Sequence, residues 1–277
     1  MHKCLTVTLT LMAELTPKLA ELLASCIVNA ILEGAEPFSA QAGPHGVLVL
    51  HGFTGNPQSM RPIAEALNRA DFSVELPLLP GHGTSMEDMV PKRFSDWLEA
   101  AESAYSAISA KYEDIYVVGL SMGGTLACYL AANHLEIKGL VLVNPFVDPP
   151  AKEYREIVEG LLEQGMEIAP GVGSDIKKPG MKELAYEGSP LRGALSLFDG
   201  LDALQEKLVK IRCPILLFSS REDHVVPSSS GDVLVENVSG LCERVWLENS
   251  YHVATLDFDQ ELIESKAVEF LLSLSSK

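Results

Sequence analysis

The stretch from Ile115 to Ala132 constrains the fold of this chain more than any other. Ile115-Tyr116-Val117-Val118 is a short apolar run of strand type, and Gly124 to Ala132 reads as a helix. Between them stands Gly119-Leu120-Ser121-Met122-Gly123. A strand that turns into a helix over so few residues makes a tight bend. Side chains at 119 and 123 would clash there with the neighbouring strand and helix. A serine held in that bend has its hydroxyl lifted out of the sheet and set beside a helix N-terminus. Backbone N–H groups and the helix dipole can stabilise an oxyanion at that place. The Gly-x-Ser-x-Gly pattern alone is a weak signal. Its strand–turn–helix setting marks Ser121 as a candidate nucleophile.

The same rhythm of strand and helix runs through the chain from Gly46. Val47 to His51 reads as a buried strand, Pro57 to Ala70 as a helix and Phe72 to Leu76 as a strand. Phe94 to Lys111 is expected to be helical, with Trp97, Leu98, Ala101 and Tyr105 inward. Further strands are expected at Gly139 to Asn144, Pro214 to Ser219 and Arg244 to Leu247, and a last helix at Phe258 to Leu274. This alternation implies a mostly parallel sheet covered by helices on both faces. Between Asp148 and about Ile211 no strand is legible. Short helical patterns, Tyr154 to Gln164 and Leu201 to Lys210, are joined there by turn-rich segments such as Pro170-Gly171-Val172-Gly173-Ser174. The expected organisation is therefore a core of residues 34–147 and 212–277, a cap insertion at 148–211 over the carboxyl edge of the sheet, and an N-terminal extension at 1–33. Such a cap shapes a substrate pocket and excludes water; the alternative is a crossover without a role in substrate choice.

Charge narrows the partners. Lys and Arg number 21 against 38 Asp and Glu, a formal charge of −17. A field of that sign repels nucleic acid and anionic membrane surfaces, and it suits a neutral substrate. The cysteines, Cys4, Cys26, Cys128, Cys213 and Cys242, are odd in number and show no CxxC spacing. Neither a disulfide framework nor a zinc site is indicated, and a reducing, cytoplasmic setting is the expectation. The extension leaves an alternative. Met1 to Ala13 is apolar after Lys3, and Leu23-Ala24-Ser25-Cys26 is similar to a lipoprotein cleavage site, so export or lipid anchoring is the rival. Glu14, Lys18 and Glu21 interrupt that run, which favours an amphipathic helix capped by Thr16, begun at Pro17 and ended at Gly34. Its apolar face would pack on the domain, on another subunit or on a lipid surface. No stretch is long and apolar enough to span a bilayer.

A serine hydroxyl needs a base, and the base needs an orienting acid. Pro214 to Ser219 leads into Arg221-Glu222-Asp223-His224, and Arg244 to Leu247 leads into Asn249-Ser250-Tyr251-His252. Asp223 and His252 thus fall on loops at the same sheet edge as Ser121. The order Ser, Asp, His, each after a strand, is that of an α/β-hydrolase. Glu222 is the alternative acid and His224 the alternative base, with position favouring His252. Asp257 reads as a cap for the last helix. An oxyanion hole would take one backbone N–H from Met122 and one from Phe53, in the loop His51-Gly52-Phe53-Thr54-Gly55. His51 and His82 are expected to hold loop backbone rather than to move protons. The scheme calls for no metal and no cofactor.

Five segments together carry a family resemblance. They are His51-Gly52-Phe53-Thr54-Gly55, Gly81-His82-Gly83-Thr84, Gly119 to Gly124, Asp223-His224-Val225-Val226-Pro227 and Tyr251-His252-Val253-Ala254-Thr255-Leu256-Asp257. In them the chain resembles the bacterial monoacylglycerol lipases and their carboxylesterase relatives, from about Gly34 to the C-terminus. The likeness extends through the insertion, at Gly173 to Lys177 and Lys182 to Glu187. It implies an α/β-hydrolase fold, a cap over an apolar acyl tunnel and a small polar pocket for a glycerol leaving group. Carried over by motif, Glu183 and Asn144 would line the glycerol side, with Val172 near it. Without the resemblance, Glu183 would read as a solvated charge on a cap helix. The expected activity is hydrolysis of a small neutral monoacyl ester through an acyl-enzyme. A short-chain carboxylesterase and a non-catalytic ligand receptor on the same fold are the rival readings.

Overall fold

A computed structural model describes residues 30–171 and 173–275. The strands are β1 (Phe38–Ala40), β2 (His45–Leu50), β3 (Phe72–Leu76), β4 (Ile115–Leu120), β5 (Gly139–Val143), β6 (Ile168–Pro170), β7 (Gly188–Pro190), β8 (Ile215–Ser220) and β9 (Cys242–Leu247). Seven of them form one sheet in the order β1-β3-β2-β4-β5-β8-β9. β1 runs antiparallel to β3, and every other pair in that sheet is parallel. The helices are α1 (Arg61–Arg69), α2 (Met86–Met89), α3 (Phe94–Ser109), α4 (Met122–Asn133), α5 (Lys152–Glu163), α6 (Leu191–Gln205), α7 (Ser229–Asn237) and α8 (Gln260–Ser275).

The central strands are unbroken apolar runs because both faces of the sheet are covered. Successive side chains point to opposite faces, and the chain uses both. Leu48, Leu50, Val117, Leu140, Leu142 and Leu217 enter a core shared with Trp97 of α3, Leu126 of α4 and Leu201 of α6. Val47, Val49, Val118, Val141, Val143 and Phe218 enter a second core with Ile63 and Leu67 of α1 and Ile263 and Leu271 of α8. α4 is buried from Met122 through Ala132, which is why its sequence shows no polar stripe. The start of α3 is tied by the Arg93 N–H, which donates to Asp96 Oδ2 at 2.7 Å.

Connectivity places the functional edge. After β2 the chain crosses to β3 on one side, then returns to β4 on the other side of β2. The reversal opens a crevice at the carboxyl ends of β2 and β4, where open α/β sheets bind ligands. The segment between β5 and β8 lies over this edge. Its α6 belongs to the core: Leu197, Phe198, Leu201 and Leu204 are buried, and the Tyr129 hydroxyl donates to the Gly200 carbonyl at 2.7 Å. α5 buries only Val158 and is held to α6 by Arg155, which pairs with Asp199 and Asp202.

Several elements differ from the sequence expectations. β6 and β7 form a short antiparallel pair inside the insertion, where no strand was expected. Their sequences, Ile-Ala-Pro and Gly-Ser-Pro, carry no alternation to read. β1 and α7 are likewise additional. Leu201 to Lys210 is not one helix: α6 starts ten residues earlier, at Leu191, and a separate 3-10 turn occupies Leu208–Lys210. The expected amphipathic helix of the extension lies almost wholly outside the described residues. Among these, Leu32 N–H donates to the Gly83 carbonyl at 2.8 Å, and Gly34 turns with φ +91°. Among the described residues no helix is long and apolar enough to cross a membrane.

Leu142 is fully buried at the centre of the sheet. Leu142→Ala is expected to lower the stability of the fold by about 2–5 kcal/mol, read from the shift of a urea unfolding midpoint.

Candidate active site

Ser121 joins β4 to α4 with φ 53° and ψ −119°, a conformation that L-residues rarely adopt. The bend depends on its glycines. A Cβ on Gly123 would stand 2.1 Å from the Leu50 carbonyl oxygen, and one on Gly119 would stand 2.3 Å from the Gly123 carbonyl oxygen. Without side chains there, the start of α4 packs directly on the end of β2. Ser121 itself is tied to the next strand, its N–H donating to the Val143 carbonyl at 3.1 Å. Met122 opens α4, so its N–H belongs to the first turn, whose amides have no partner within the helix.

The loop after β2 meets this bend. A Cβ on Gly52 would lie 3.4 Å from Ser121 Cβ and 3.9 Å from its Oγ. His51 fixes the loop from beneath. Its Nε2 accepts the Leu79 N–H at 3.1 Å, so the ring proton sits on Nδ1 and donates to the Gly52 carbonyl at 3.0 Å. That carbonyl and the Phe53 N–H belong to one planar peptide, so holding the first sets the direction of the second. Burial lowers the His51 pKa to about 4, against the opposing effect of the Gly52 hydrogen bond. The ring is therefore neutral and keeps the single tautomer the loop requires. His82 lies edge-on to His51 at 4.9 Å, with its own Nδ1 3.2 Å from the Pro80 carbonyl. Burial, and then the unfavourable pairing with His51 were both rings to be charged, holds His82 well below the usual histidine range. Both histidines hold backbone.

Asp223 and His252 come together from the loops after β8 and β9. His252 Nδ1 lies 2.8 Å from Asp223 Oδ2, and both side chains are more than nine-tenths buried. The other carboxylate oxygen accepts the N–H groups of Val225 at 2.9 Å and Val226 at 2.8 Å. Spending Nδ1–H on Asp223 leaves Nε2 as the base atom. Burial works against the charged imidazole, but the Asp223 charge and hydrogen bond, with Glu183 and Asp175 behind them, raise its pKa above the ordinary value. The alternatives lie elsewhere. Glu222 is exposed and pairs with Lys177 at 2.9 Å, and His224 is exposed and pairs with Asp175 at 2.8 Å.

Ser121 and His252 share the wall of a cavity of about 560 Å³ under the insertion. Most of that wall is apolar, with Phe146, Leu191, Leu197 and Phe198 among its residues, and Phe53 stands at the Ser121 end. Glu183 is the buried carboxylate of the wall, at 7% exposure. Burial raises its pKa, opposed by the neighbouring Ser59 hydroxyl and by His252. The strand of chain around Glu183 is stitched to the loop after β2. Leu184 N–H donates to Gln58 Oε1 at 3.0 Å, and Tyr186 N–H donates to the Thr54 carbonyl at 3.1 Å. Among the described residues no group of three or more His, Cys, Asp or Glu side chains could hold a metal ion.

Two residues do not stand where sequence reading put them, Asn144 by the resemblance and Asp257 by its position before the last helix. Asn144 does not line the cavity. Its Oδ1 accepts the Ser220 N–H at 2.7 Å, and its Nδ2 donates to the His252 carbonyl at 2.8 Å and to Ser220 Oγ at 2.9 Å. A left-handed backbone, φ 43°, turns the amide across the strand ends, so it buttresses the His252 loop instead. Asp257 does not cap the last helix: it accepts the N–H groups of Tyr251, Lys177 and Lys178. Val172 lies outside the described residues. Sequence reading missed Asp175, whose carboxylate accepts the His252 N–H at 3.0 Å. No local pattern marks a contact across so long a separation.

The buried neutral His51 gives a pH test. Its folded pKa, about 4, lies below the ordinary 6.5. Between those values the unfolded chain binds a proton that the folded chain refuses, so this residue removes stability as pH falls. His51→Gln, which can still donate and accept, should flatten the loss of urea stability between pH 6.5 and 4 by up to about 3 kcal/mol.

Comparison with known proteins agrees with this geometry. The family model for serine aminopeptidase, S33, matches residues 44–259. The thermostable monoacylglycerol lipase of Bacillus sp. (strain H-257) is 47% identical over 241 residues, covering 87% of this chain and 95% of that protein. The carboxylesterase of Bacillus subtilis (strain 168) is 28% identical over 242 residues, covering 86% and 97%. A structure from work on the metagenome-derived lipolytic enzymes LipS and LipT superposes with a TM-score of 0.84 at 37% identity, covering 88% of this chain and all of that one. The monoacylglycerol lipase of Paleococcus ferrophilus superposes at 0.71 with 20% identity, covering 86% and 99%, a likeness of fold. On the family model and on these identities over most of its length, the chain belongs to the α/β-hydrolases, in the family of bacterial monoacylglycerol lipases and related carboxylesterases.

Proposed function

We propose that this chain hydrolyses monoacylglycerols to fatty acid and glycerol through an acyl-enzyme on Ser121. The observation that carries the reading is the buried Asp223–His252 pair, whose His252 shares one cavity wall with the strained serine. Ser121 Oγ attacks the ester carbonyl as His252 Nε2 takes its proton. The N–H groups of Phe53 and Met122 hold the oxyanion. His252 then gives the proton to the leaving alcohol, activates a water by the same route and releases the fatty acid. Asp223 orients the ring and stabilises its charged form.

The cavity supports a single acyl chain as occupant. Its size falls in the range of small-molecule sites, and its wall is mostly apolar, with Ser121, His252, Thr54, Glu183, Asp148 and Ser189 among its polar residues. Glu183 is placed to accept hydrogen bonds from the hydroxyls of a polyol leaving group. The relative named as a monoacylglycerol lipase supports the same substrate class. The relative named as a carboxylesterase favours a second reading, a broader esterase for short acyl esters. A reducing, cytoplasmic setting fits the free thiols of Cys128, Cys213 and Cys242.

Ser121→Ala should lower ester hydrolysis by roughly three orders of magnitude or more in single-turnover assays of the purified protein. A chain-length series of monoacylglycerols beside matching alkyl esters separates the two readings: higher kcat/KM on the glycerol esters supports the lipase, and preference for short alkyl esters supports the esterase. Glu183→Gln is expected to raise KM for a monoacylglycerol about tenfold more than for the methyl ester of the same acid, since only the former presents hydroxyls to it.

A further inference from the structure

The insertion contributes an acid that the steps above do not use. Asp175 follows β6 in the stretch that leads on to Glu183, and its side chain is 10% exposed. Its Oδ2 accepts the backbone N–H of His252 at 3.0 Å and that of His224 at 3.2 Å. Oδ1 lies 2.8 Å from His224 Nδ1, and the Asp175 carbonyl accepts the Val253 N–H at 3.1 Å. One residue therefore grips both loops of the catalytic pair. His224 is the neighbour of Asp223 in the chain, and His252 is the base.

Those loops need an outside hold. The β8–β9 ladder ends at Ser220↔Leu247, three residues before Asp223 and five before His252. Beyond it, ladder hydrogen bonds no longer set the distance between acid and base. Asn144 ties the Ser220 end to the His252 carbonyl from below, and Asp175 ties the two loops from above. Asp257 laces the same segments in the opposite sense, accepting Lys177 N–H at 2.7 Å, Lys178 N–H at 2.9 Å and Tyr251 N–H at 2.9 Å.

We propose that Asp175 is a positioning residue of the hydrolytic site, through which the insertion holds the acid and base loops in reacting register. The proposal rests on Ser121, His252 and Asp223 being the working triad. It makes the insertion part of the catalytic apparatus as well as a cover for substrate. The carboxylate acts in two separable ways. As an acceptor it fixes the backbone at His252 and at His224. As a charge it adds to the field at the His252 ring, after Asp223 and Glu183. His224, which it also faces, has its pKa raised first by the Asp175 hydrogen bond and charge, and then by Asp223 and Glu222. Around His224 stand also the Tyr251 ring at 4.6 Å and Lys177, which pairs with Glu222 and lies 5.2 Å over the Tyr251 ring.

Two substitutions separate these roles. Asp175→Asn keeps an oxygen for the two N–H groups and loses the charge; Asp175→Ala loses both. Each purified full-length variant is assayed on monolauroylglycerol for kcat, KM and the pH dependence of kcat/KM, with its melting temperature measured beside. In the parent, activity falls as pH drops through the raised His252 pKa. Asp175→Ala should lower kcat about 10- to 100-fold, with KM changed less than about threefold. Asp175→Asn should recover most of that kcat. In both, the acid limb of kcat/KM should move to lower pH by about half a unit or more, because the base has lost a carboxylate from its surroundings. An Asp175→Ala enzyme with kcat within about twofold of the parent overturns the proposal. If that variant does not fold, Asp175→Asn decides: a displaced acid limb supports the role and an unmoved one overturns it. Ser121→Ala is run in parallel. An active Ser121→Ala enzyme removes the triad itself, whereas an inactive one beside unaffected Asp175 variants removes only the role of Asp175.

Discussion

The site is built on a close backbone approach, that of the α4 start to the end of β2. It exists only because Gly123 offers no Cβ to the Leu50 carbonyl and Gly119 none to Gly123. Much of the site follows from that contact. It forces Ser121 into a left-handed conformation and brings the serine against Gly52 of the loop after β2. It also requires β2 and β4 to be neighbours, which the crossover from β2 to β3 and back provides. Strain of this kind costs of order 1–3 kcal/mol and persists only where surrounding structure fixes it. Here α4 is buried on all sides and β4 lies at the middle of the sheet, so the bend has little room to relax.

Three of the supports beneath the site, His51, Asn144 and Asp223, share one property: their polar atoms are engaged at both ends. Both ring nitrogens of His51 are engaged, one accepting and one donating. The Asn144 amide is saturated at both ends, and each Asp223 oxygen is occupied. A buried polar group without partners would be costly, whereas a saturated one has a single geometry. The site thus holds its reacting atoms by exhausting the alternatives of the groups that carry them.

That principle also explains which parts could be read from the chain. The parallel strands were legible because burial on both faces leaves runs such as Val47 to Leu50 and Leu140 to Val143 with no polar interruption. Ser121 and Asp223 stood out as candidates because each follows such a run, and His252 because it follows the half-buried strand β9 in the expected order. β1, β6 and β7 were not, being three-residue strands whose pairing comes from the path of the chain rather than from any residue pattern. The assignments that depend on long-range hydrogen bonds fared worst. Asn144 had a plausible place at a strand end, but its left-handed φ and its bonds to Ser220 and His252 turn it away from the cavity. Asp257 precedes a helix as a cap would, yet it is claimed by Tyr251 and by Lys177, eighty positions before it. Asp175 looks like an ordinary turn acid until the fold brings the His252 loop to it.

Three carboxylates, Asp223, Glu183 and Asp175, act on one imidazole, in a chain whose formal charge is −17. Their common effect is to favour the protonated ring, the form His252 would take in the proposed attack by Ser121. The same arrangement distinguishes what enters from what leaves. A neutral ester meets an apolar wall and no opposing field. The fatty acid of the proposed reaction, once ionised, would be a carboxylate in a cavity whose wall includes Asp148 and Glu183 and has no Lys or Arg. Like charges in a low-dielectric cavity repel strongly. In the proposed reaction Glu183 belongs to both settings, since it lines the cavity and also adds to the field at His252.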